Sequence, residues 1–400
     1  MLINRIEDLK VILSGQLITS RTETLEEYLK ARIKCLGVIG IASAYAASNV
    51  ARASLYEEGA LKREFKLPSF LVRKNNSLTQ PLLTLTFLLY VFSIIYATLK
   101  FNKKFDIFIG VATFSTLVGF FLKKMGVVDK LIYYSIDYYA KPSKFSFNSL
   151  MVWAFRVIDK MCVREADLTW HISERIREAR FKFAGVTEDS YQHITVPLCY
   201  DDKLLRIVPI DGIDKNAIGF VGTLSENQGL QMVVNALPDI IKELPQIKIG
   251  IIGRGPYENE LKAMVKNSGL EKYFIFYGFI KEEERVLDIL SHCAIGIAPW
   301  KTSPDDNSIY ADPGKPKLYA FCGLPIVITN GTIVAAEINR AKAGISINYK
   351  AGEFKDAVIK LLSNPEVLNQ YKNNAREFAK NYTSENVLGK QMAVSLDYLI

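Results

Sequence analysis

The sequence lacks any CxxC pair. Its five cysteines, Cys35, Cys162, Cys199, Cys293 and Cys322, are scattered and odd in number. That excludes a disulfide framework, argues against a zinc site, and predicts a reducing compartment. No apolar leader opens the chain: Met1 to Asp8 is polar, with Arg5, Glu7 and Asp8, so no signal peptide is expected. There is no short repeat, no low-complexity tract, and no glycine fingerprint for a dinucleotide. The nearest candidate, "GRGP" at Gly253 to Pro256, lacks the third glycine and follows a second strand rather than a first. A nicotinamide oxidoreductase is thereby excluded. No nucleic-acid partner is expected.

What remains is a chain of 400 residues, 49% hydrophobic, enough for two domains with large cores. The net charge of +8 is unevenly placed. Residues 1–206 hold 29 Lys+Arg against 20 Asp+Glu, a net +9, and residues 207–400 hold 21 against 22. A basic half joined to a neutral one points to an anionic partner for the first, with solubility alone as the plainer account.

From Asn216 onward, six short apolar runs alternate with segments of helical period: "AIGFVG", "IKIGIIG", "FIFYG", "AIGIAPW", "PIVIT" and "ISINY". In "LQMVVNALPDIIKEL", Val233, Val234, Leu237, Ile240, Ile241 and Leu244 share one face. The alternation predicts a six-stranded doubly wound parallel sheet. The first half repeats it less cleanly, with strands expected at "LKVILSG", "ARASLY", "FDIFIG", "KLIYYSI", "LTWHIS" and "HITVP", and a helix over "TLEEYLKARIKCLGVIGIA". The domains are expected over residues 1–205 and 206–382, with Lys203 to Asn216 as linker. Residues 383–400 are expected to form a helix packing back toward the first domain.

One segment stands apart. Pro81 to Leu99 runs 19 residues without a charge, with Arg73 and Lys74 before it and Lys100, Lys103 and Lys104 after. It is long enough to cross a bilayer. It also leads at once into "FDIFIG", as a crossover helix of the sheet would. Membrane-surface contact, burial in the core and a true span all stay open.

Doubly wound sheets bind ligands beyond the carboxyl ends of their strands, where strand order reverses. With the usual strand order assumed for the second half, the reversal lies between its first and fourth strands, flanked by "TLSENQG" after Gly222 and "KTSPDDNSIYADPG" after Trp300. A helix is expected to start near Lys315, after Pro313 and Gly314, offering unpaired N–H groups and its positive dipole end. Lys315 and Lys317 add formal charge, which suits a diphosphate. The first set of donor-side candidates is Gly222, Thr223, Leu224, Gln228, Gly253, Arg254 and Gly255. The second is Trp300, Tyr310, Asp312, Gly314, Lys315, Lys317 and Leu318. Asp305 and Asp306 are a lone acidic pair, and no metal is expected there. In the first half the same argument selects the loop after Gly15 with Arg21, the strand end at Asp137, and His171 and Ser173. Asp137 could equally be a helix cap.

"FVGTLSENQGLQMVVNALPDI", "IIGRGPYENELK", "YGFIKEEERVLDILSHCAIGIAPW" and "PGKPKLYAFCGLPIVIT" follow one another in the order and spacing of the donor domain of retaining GT-B glycosyltransferases of the family 4 type. The first half resembles that family only through "IYYSIDYY" and "DLTWHISERIREAR". The resemblance implies two facing Rossmann-like domains with a cleft between them. It also implies a nucleotide-diphosphate-sugar donor on the second domain and an acceptor on the first. No metal or cofactor is implied, and the configuration is retained. The acceptor is expected to be lipid-linked or a growing glycan, in surface polysaccharide or glycoconjugate synthesis. The enzyme is expected on the anionic inner face of the cell membrane, with catalytic roles for Asp137 and Arg21. The chain also departs from the pattern. Where the family has a Glu-x7-Glu pair it has Tyr310 and Leu318, and where the family has a phosphate-binding Arg and Lys it has Thr223 and Gln228. These departures keep a second reading open, a catalytically inactive GT-B-shaped module binding a glycan or a partner transferase.

Overall fold

The computed structural model describes residues 6–16, 23–41, 51–68, 80–139, 147–301 and 307–399. The chain divides into two compact units, Met1–Cys199 with Val387–Ile400, and Tyr200–Asn386. Arg21, Arg73, Lys74, Asp305 and Asp306 lie outside the described residues.

The first unit is an eight-stranded sheet. In chain order its strands are β1 (Lys10–Gln16), β2 (Cys35–Ile41), β3 (Arg52–Glu57), β4 (Ala60–Lys66), β5 (Phe105–Val111), β6 (Val128–Ser135), β7 (Leu168–His171) and β8 (His193–Thr195). They lie in the order β4-β3-β2-β1-β5-β6-β7-β8, parallel except at the β2–β3 and β3–β4 pairs. The expected single helix over "TLEEYLKARIKCLGVIGIA" is corrected here. A helix spans only Glu23–Lys30, and "CLGVIGI" is the wholly buried strand β2. A strand covered on both faces loses its polar alternation and reads as a continuous apolar run. Gly37 within it lies against Phe101, whose ring a Cβ would approach to 2.9 Å. The charged β4, "ALKREFK", carries no apolar signal because it is an exposed edge.

Helix Gln80–Phe101 enters β5 directly, as a crossover helix does. It buries Tyr90, Ile94, Ala97 and Phe101 in the sheet core. Among the described residues no helix is long and apolar enough to cross a membrane. The last helix, Lys390–Leu399, belongs to this unit, and Ser395 Oγ accepts the buried Trp170 indole N–H at 2.9 Å.

The second unit has six parallel strands: β9 (Asp214–Val221), β10 (Lys248–Ile252), β11 (Phe274–Gly278), β12 (Cys293–Ala298), β13 (Ile326–Thr329) and β14 (Gly344–Ile347). Their order is β11-β10-β9-β12-β13-β14, so the reversal lies between β9 and β12, where the usual doubly wound order puts it. Helix Leu230–Glu243 buries Val233, Val234, Leu237 and Ile240 on its expected face. They meet Ile218, Ile249, Ile251 and Ile295 in one core. The expected linker is part of this unit. Short 3-10 turns at Asp202–Leu204 and Ile210–Gly212 lead into β9.

Candidate active site

At the reversal in the second unit, β9 and β12 run side by side. Tyr319, from helix Gly314–Phe321, clamps them. Its hydroxyl accepts the Val221 N–H at 3.0 Å and donates to the Ile297 carbonyl at 3.0 Å. The ring fits because Gly296 is bare, and a Cβ there would come within 2.6 Å of it. In the sequence this tyrosine looks like an ordinary core aromatic, and nothing in the pattern marks it.

Below the carboxyl ends lies a floor of main chain. Gly222 and Gly253 take φ of 144° and 136°, open to glycine. A Cβ on Gly253 would sit 1.9 Å from the Gly222 carbonyl oxygen, and one on Gly255 would sit 2.1 Å from that of Leu224. The two turns are laced together by Gly222 N–H to Ile252 O at 2.9 Å and Leu224 N–H to Arg254 O at 3.0 Å. "GRGP" is thus a tight turn packed against its neighbour. Leu224 is buried beneath the floor, while Thr223 and Arg254 are exposed at its edge.

One wall is built by Gln228, Trp300 and Lys315. The Gln228 side-chain oxygen accepts from the Trp300 indole N–H at 3.1 Å and from the Lys315 ammonium. That ammonium lies 4.4 Å from the centre of the Phe220 ring and 5.4 Å from that of Trp300. It also sits where a Cβ on Gly222 would be, at 2.9 Å. The residue is only half-buried, but its charged end is enclosed. Burial pulls its pKa down from the ordinary lysine value to about 7, with no carboxylate among the described residues as a counterweight. Helix Gly314–Phe321 starts beside it behind Pro313, with no side-chain cap. An enclosed cation at an uncapped helix start is a place for an anion.

The other expected residues divide. Lys317 does not add a second charge to the wall. Its ammonium pairs with Asp312 at 2.5 Å and lies 4.0 Å from the centre of the Tyr382 ring, both partners buried. The two formal charges cancel inside the domain. Tyr310 is buried and Leu318 half-buried, and the Gly314 carbonyl accepts the Tyr200 hydroxyl at 3.2 Å.

In the first unit the reversal lies between β1 and β5, at Gly15–Gln16 and Val111–Ala112. Gly15 is at this point, against the Val111 side chain. The β5 side was missed from the sequence. Ala112 has φ 65° and precedes helix Thr113–Lys124, and Gly110 lets that helix approach, since a Cβ there would lie 2.6 Å from Thr116 Cα. Asp137 follows β6, one strand over, and is half-buried. Ser173 is the N-cap of helix Glu174–Ala184, its hydroxyl accepting the Arg175 N–H.

His171 is placed differently from expectation. It is buried and held at both nitrogens. Arg180 donates to Nδ1 at 2.9 Å, so Nε2 carries the proton and faces the Tyr191 hydroxyl at 3.0 Å. Burial first, then the Arg180 charge, hold its pKa well below the ordinary imidazole value. Arg180 also makes a two-pronged pair with Asp159, 2.7 Å at each oxygen, and donates to Ser135 Oγ at 2.7 Å. Tyr133 donates to Asp159 at 2.6 Å. No spacing in the sequence joins Tyr133, Asp159, His171 and Arg180. Only the fold does.

Residues 208–378 match the family described as glycosyl transferases group 1. The match stops short of the first domain. The alpha-monoglucosyldiacylglycerol synthase of Acholeplasma laidlawii is 24% identical over 170 residues, 41% of this chain and 39% of the synthase. The chain therefore spans well under half the length of that relative. Two solved structures match nearly throughout. HepE from Anabaena in complex with UDP has a TM-score of 0.66 at 15% identity, covering 97% of this chain and 100% of HepE. Sucrose-phosphate synthase from Thermosynechococcus elongatus has a TM-score of 0.70 at 14% identity, covering 98% and 99%. The fold is GT-B, two Rossmann-like parallel-sheet domains.

Proposed function

We propose that this chain is a retaining glycosyltransferase that binds a nucleotide-diphosphate sugar on its second domain and transfers the sugar to a lipid-linked or growing-glycan acceptor. The observation that carries the reading is Lys315, an enclosed ammonium with no carboxylate near it among the described residues, above a main-chain floor and beside an uncapped helix start. Among the described residues this lysine has no carboxylate counter-ion, and a diphosphate would supply one. In the transfer the sugar C1–O bond to the diphosphate breaks and a bond to the acceptor oxygen forms. The acceptor proton passes to the departing phosphate oxygen. Charge that develops on the diphosphate is met by Lys315 and the Gly314 and Lys315 amides, which were oriented before the reaction began. Lys315 thereby supplies the cation missing at Thr223 and Gln228, from its place beside Gln228 in the same wall. Asp137 and Arg21 serve the acceptor side.

Charge and similarity support the acceptor and the location. The first 206 residues carry the net +9, and the Acholeplasma relative is by its name a glycolipid synthase. We place the enzyme at the inner face of the cell membrane; among the described residues no helix is long and apolar enough to span it. Calorimetric titration with UDP, GDP and ADP tests the donor half, followed by turnover of the sugar donors of whichever binds. Absence of binding by all three would refute it.

A further inference from the structure

We propose that the outer face of three neighbouring helices in the first domain is the surface that rests on the bilayer, with Trp153 and Leu150 as its inserted side chains. This builds on the membrane location above and says which residues produce it. The helices are Gln80–Phe101, Thr113–Lys124 and Phe147–Glu165, each packed beside the next.

The first helix presents Leu88, Phe92, Tyr96 and Leu99 to solvent, a stripe at helical spacing. The same helix already uses Tyr90, Ile94, Ala97 and Phe101 for the core, so it has two apolar faces where a solvated helix has one. Phe92 and Tyr96 stack on each other at 6.2 Å. The third helix repeats the pattern. Asp159, Cys162 and Val163 face inward, while Leu150, Trp153 and Val157 face water. Leu88, Phe92, Leu99, Leu150, Trp153 and Val157 are each at least half exposed. Phe121 and Met125, at the end of the middle helix, are exposed as well. Single exposed apolar residues are ordinary, but rows of them on adjacent helices mark a surface that is covered in use.

Charge decides what covers it. Lys100, Lys104 and Lys124 are exposed at the ends of these helices or just beyond, and their half of the chain carries the net +9. Lysine is depleted in protein interfaces, and a second copy would bring the same positive half against itself. Anionic lipid headgroups answer both features, cations for the phosphates and an apolar face for the acyl boundary. Trp153, ringed by Leu150 and Val157, has the form of a side chain that settles at that boundary. Since helices run back from the carboxyl ends of their strands, Leu150 and Trp153 lie in the first turns after β6, the strand that delivers Asp137. The lipid face thus adjoins the end of the sheet assigned to the acceptor.

Flotation of the full chain with phosphatidylcholine vesicles, with and without phosphatidylglycerol, tests this. The variants are Leu150→Glu with Trp153→Glu, and separately Trp153→Phe. The expected results are binding by wild type only when phosphatidylglycerol is present, and a blue-shifted tryptophan emission that Trp153→Phe removes. The double variant should lose binding about tenfold or more while its melting temperature and UDP titration stay unchanged. Indifference of wild type to anionic vesicles at low salt refutes the membrane location itself. Binding by wild type and double variant alike leaves the location standing and overturns this face. If wild type is a dimer by light scattering and the double variant a monomer, the face is a dimer contact and the proposal fails.

Discussion

Replacing Lys315 by Met should separate affinity from stability. The wild-type ammonium is enclosed against Phe220, Trp300 and Gln228. Burial lowers its pKa to about 7, far below that of a lysine in the unfolded chain. For a base whose folded pKa is depressed, protonation favours the unfolded state. The penalty is full below about 7 and fades as pH rises toward the unfolded value. Lys315→Met removes it and keeps the aliphatic packing, so the variant should melt higher than wild type at pH 6, with a smaller gain at pH 9. UDP affinity should move the other way. A charge-assisted contact contributes about 1–3 kcal/mol, which is roughly 5- to 150-fold in Kd. Uridine, without phosphates, should bind both proteins alike. A bound diphosphate raises the lysine pKa, so wild-type affinity for UDP should fall as pH rises from about 7 to about 9, by at most about tenfold per unit, and the variant should lose that slope. Calorimetry and thermal melts at three pH values suffice. Equal losses for UDP and uridine, with a lower melting temperature throughout, would refute the reasoning and leave Lys315 a structural residue.

Gly253→Ala places a Cβ 1.9 Å from the Gly222 oxygen at φ 136°, so a loss of about 3 kcal/mol or more is expected, read as a lower denaturation midpoint. Arg180→Met leaves the buried Asp159 carboxylate without its cation, with only the Tyr133 hydroxyl as donor among the described residues, and should cost about 3–5 kcal/mol, whereas Arg180→Met with Asp159→Leu should recover part of it. Additive losses would show that the two do not act as a pair. Asp137→Asn and Arg21→Ala should each lower transfer far more than UDP binding; unchanged turnover in Asp137→Asn would reduce that residue to a cap.

The second domain was legible because every strand there is short, apolar and bounded by Gly, Pro or Asn, so the period switches cleanly from strand to helix. With the usual doubly wound order assumed, the reversal between β9 and β12, and with it the placing of Gly222, Trp300 and Lys315, followed from that. The first domain was harder for two opposite reasons. β2 is apolar on both faces and merged with the helix before it, while β4 is charged on both and left no trace. Lys315 and Lys317 are alike in sequence, two positions apart. The turn of the helix sends one to Gln228 and the other to Asp312, a difference of direction that composition does not carry. The Arg180 cluster draws on β6, β7 and two helices, and side chains so far apart in the chain meet only once the sheet order is known.

The glycine floor has a consequence for how such a site can change. A side chain can be exchanged by one nucleotide substitution; a peptide group cannot. Gly222 and Gly253 meet main chain to main chain, and every alternative residue at Gly253 collides with its neighbour. Under the proposed donor role, a lineage or an engineer seeking a new donor would therefore work at the rim, at Thr223 and Arg254, or on the Gln228–Trp300 wall. An inhibitor that took most of its affinity from the floor would leave few escape routes, since mutations there would unfold the domain before they loosened the ligand.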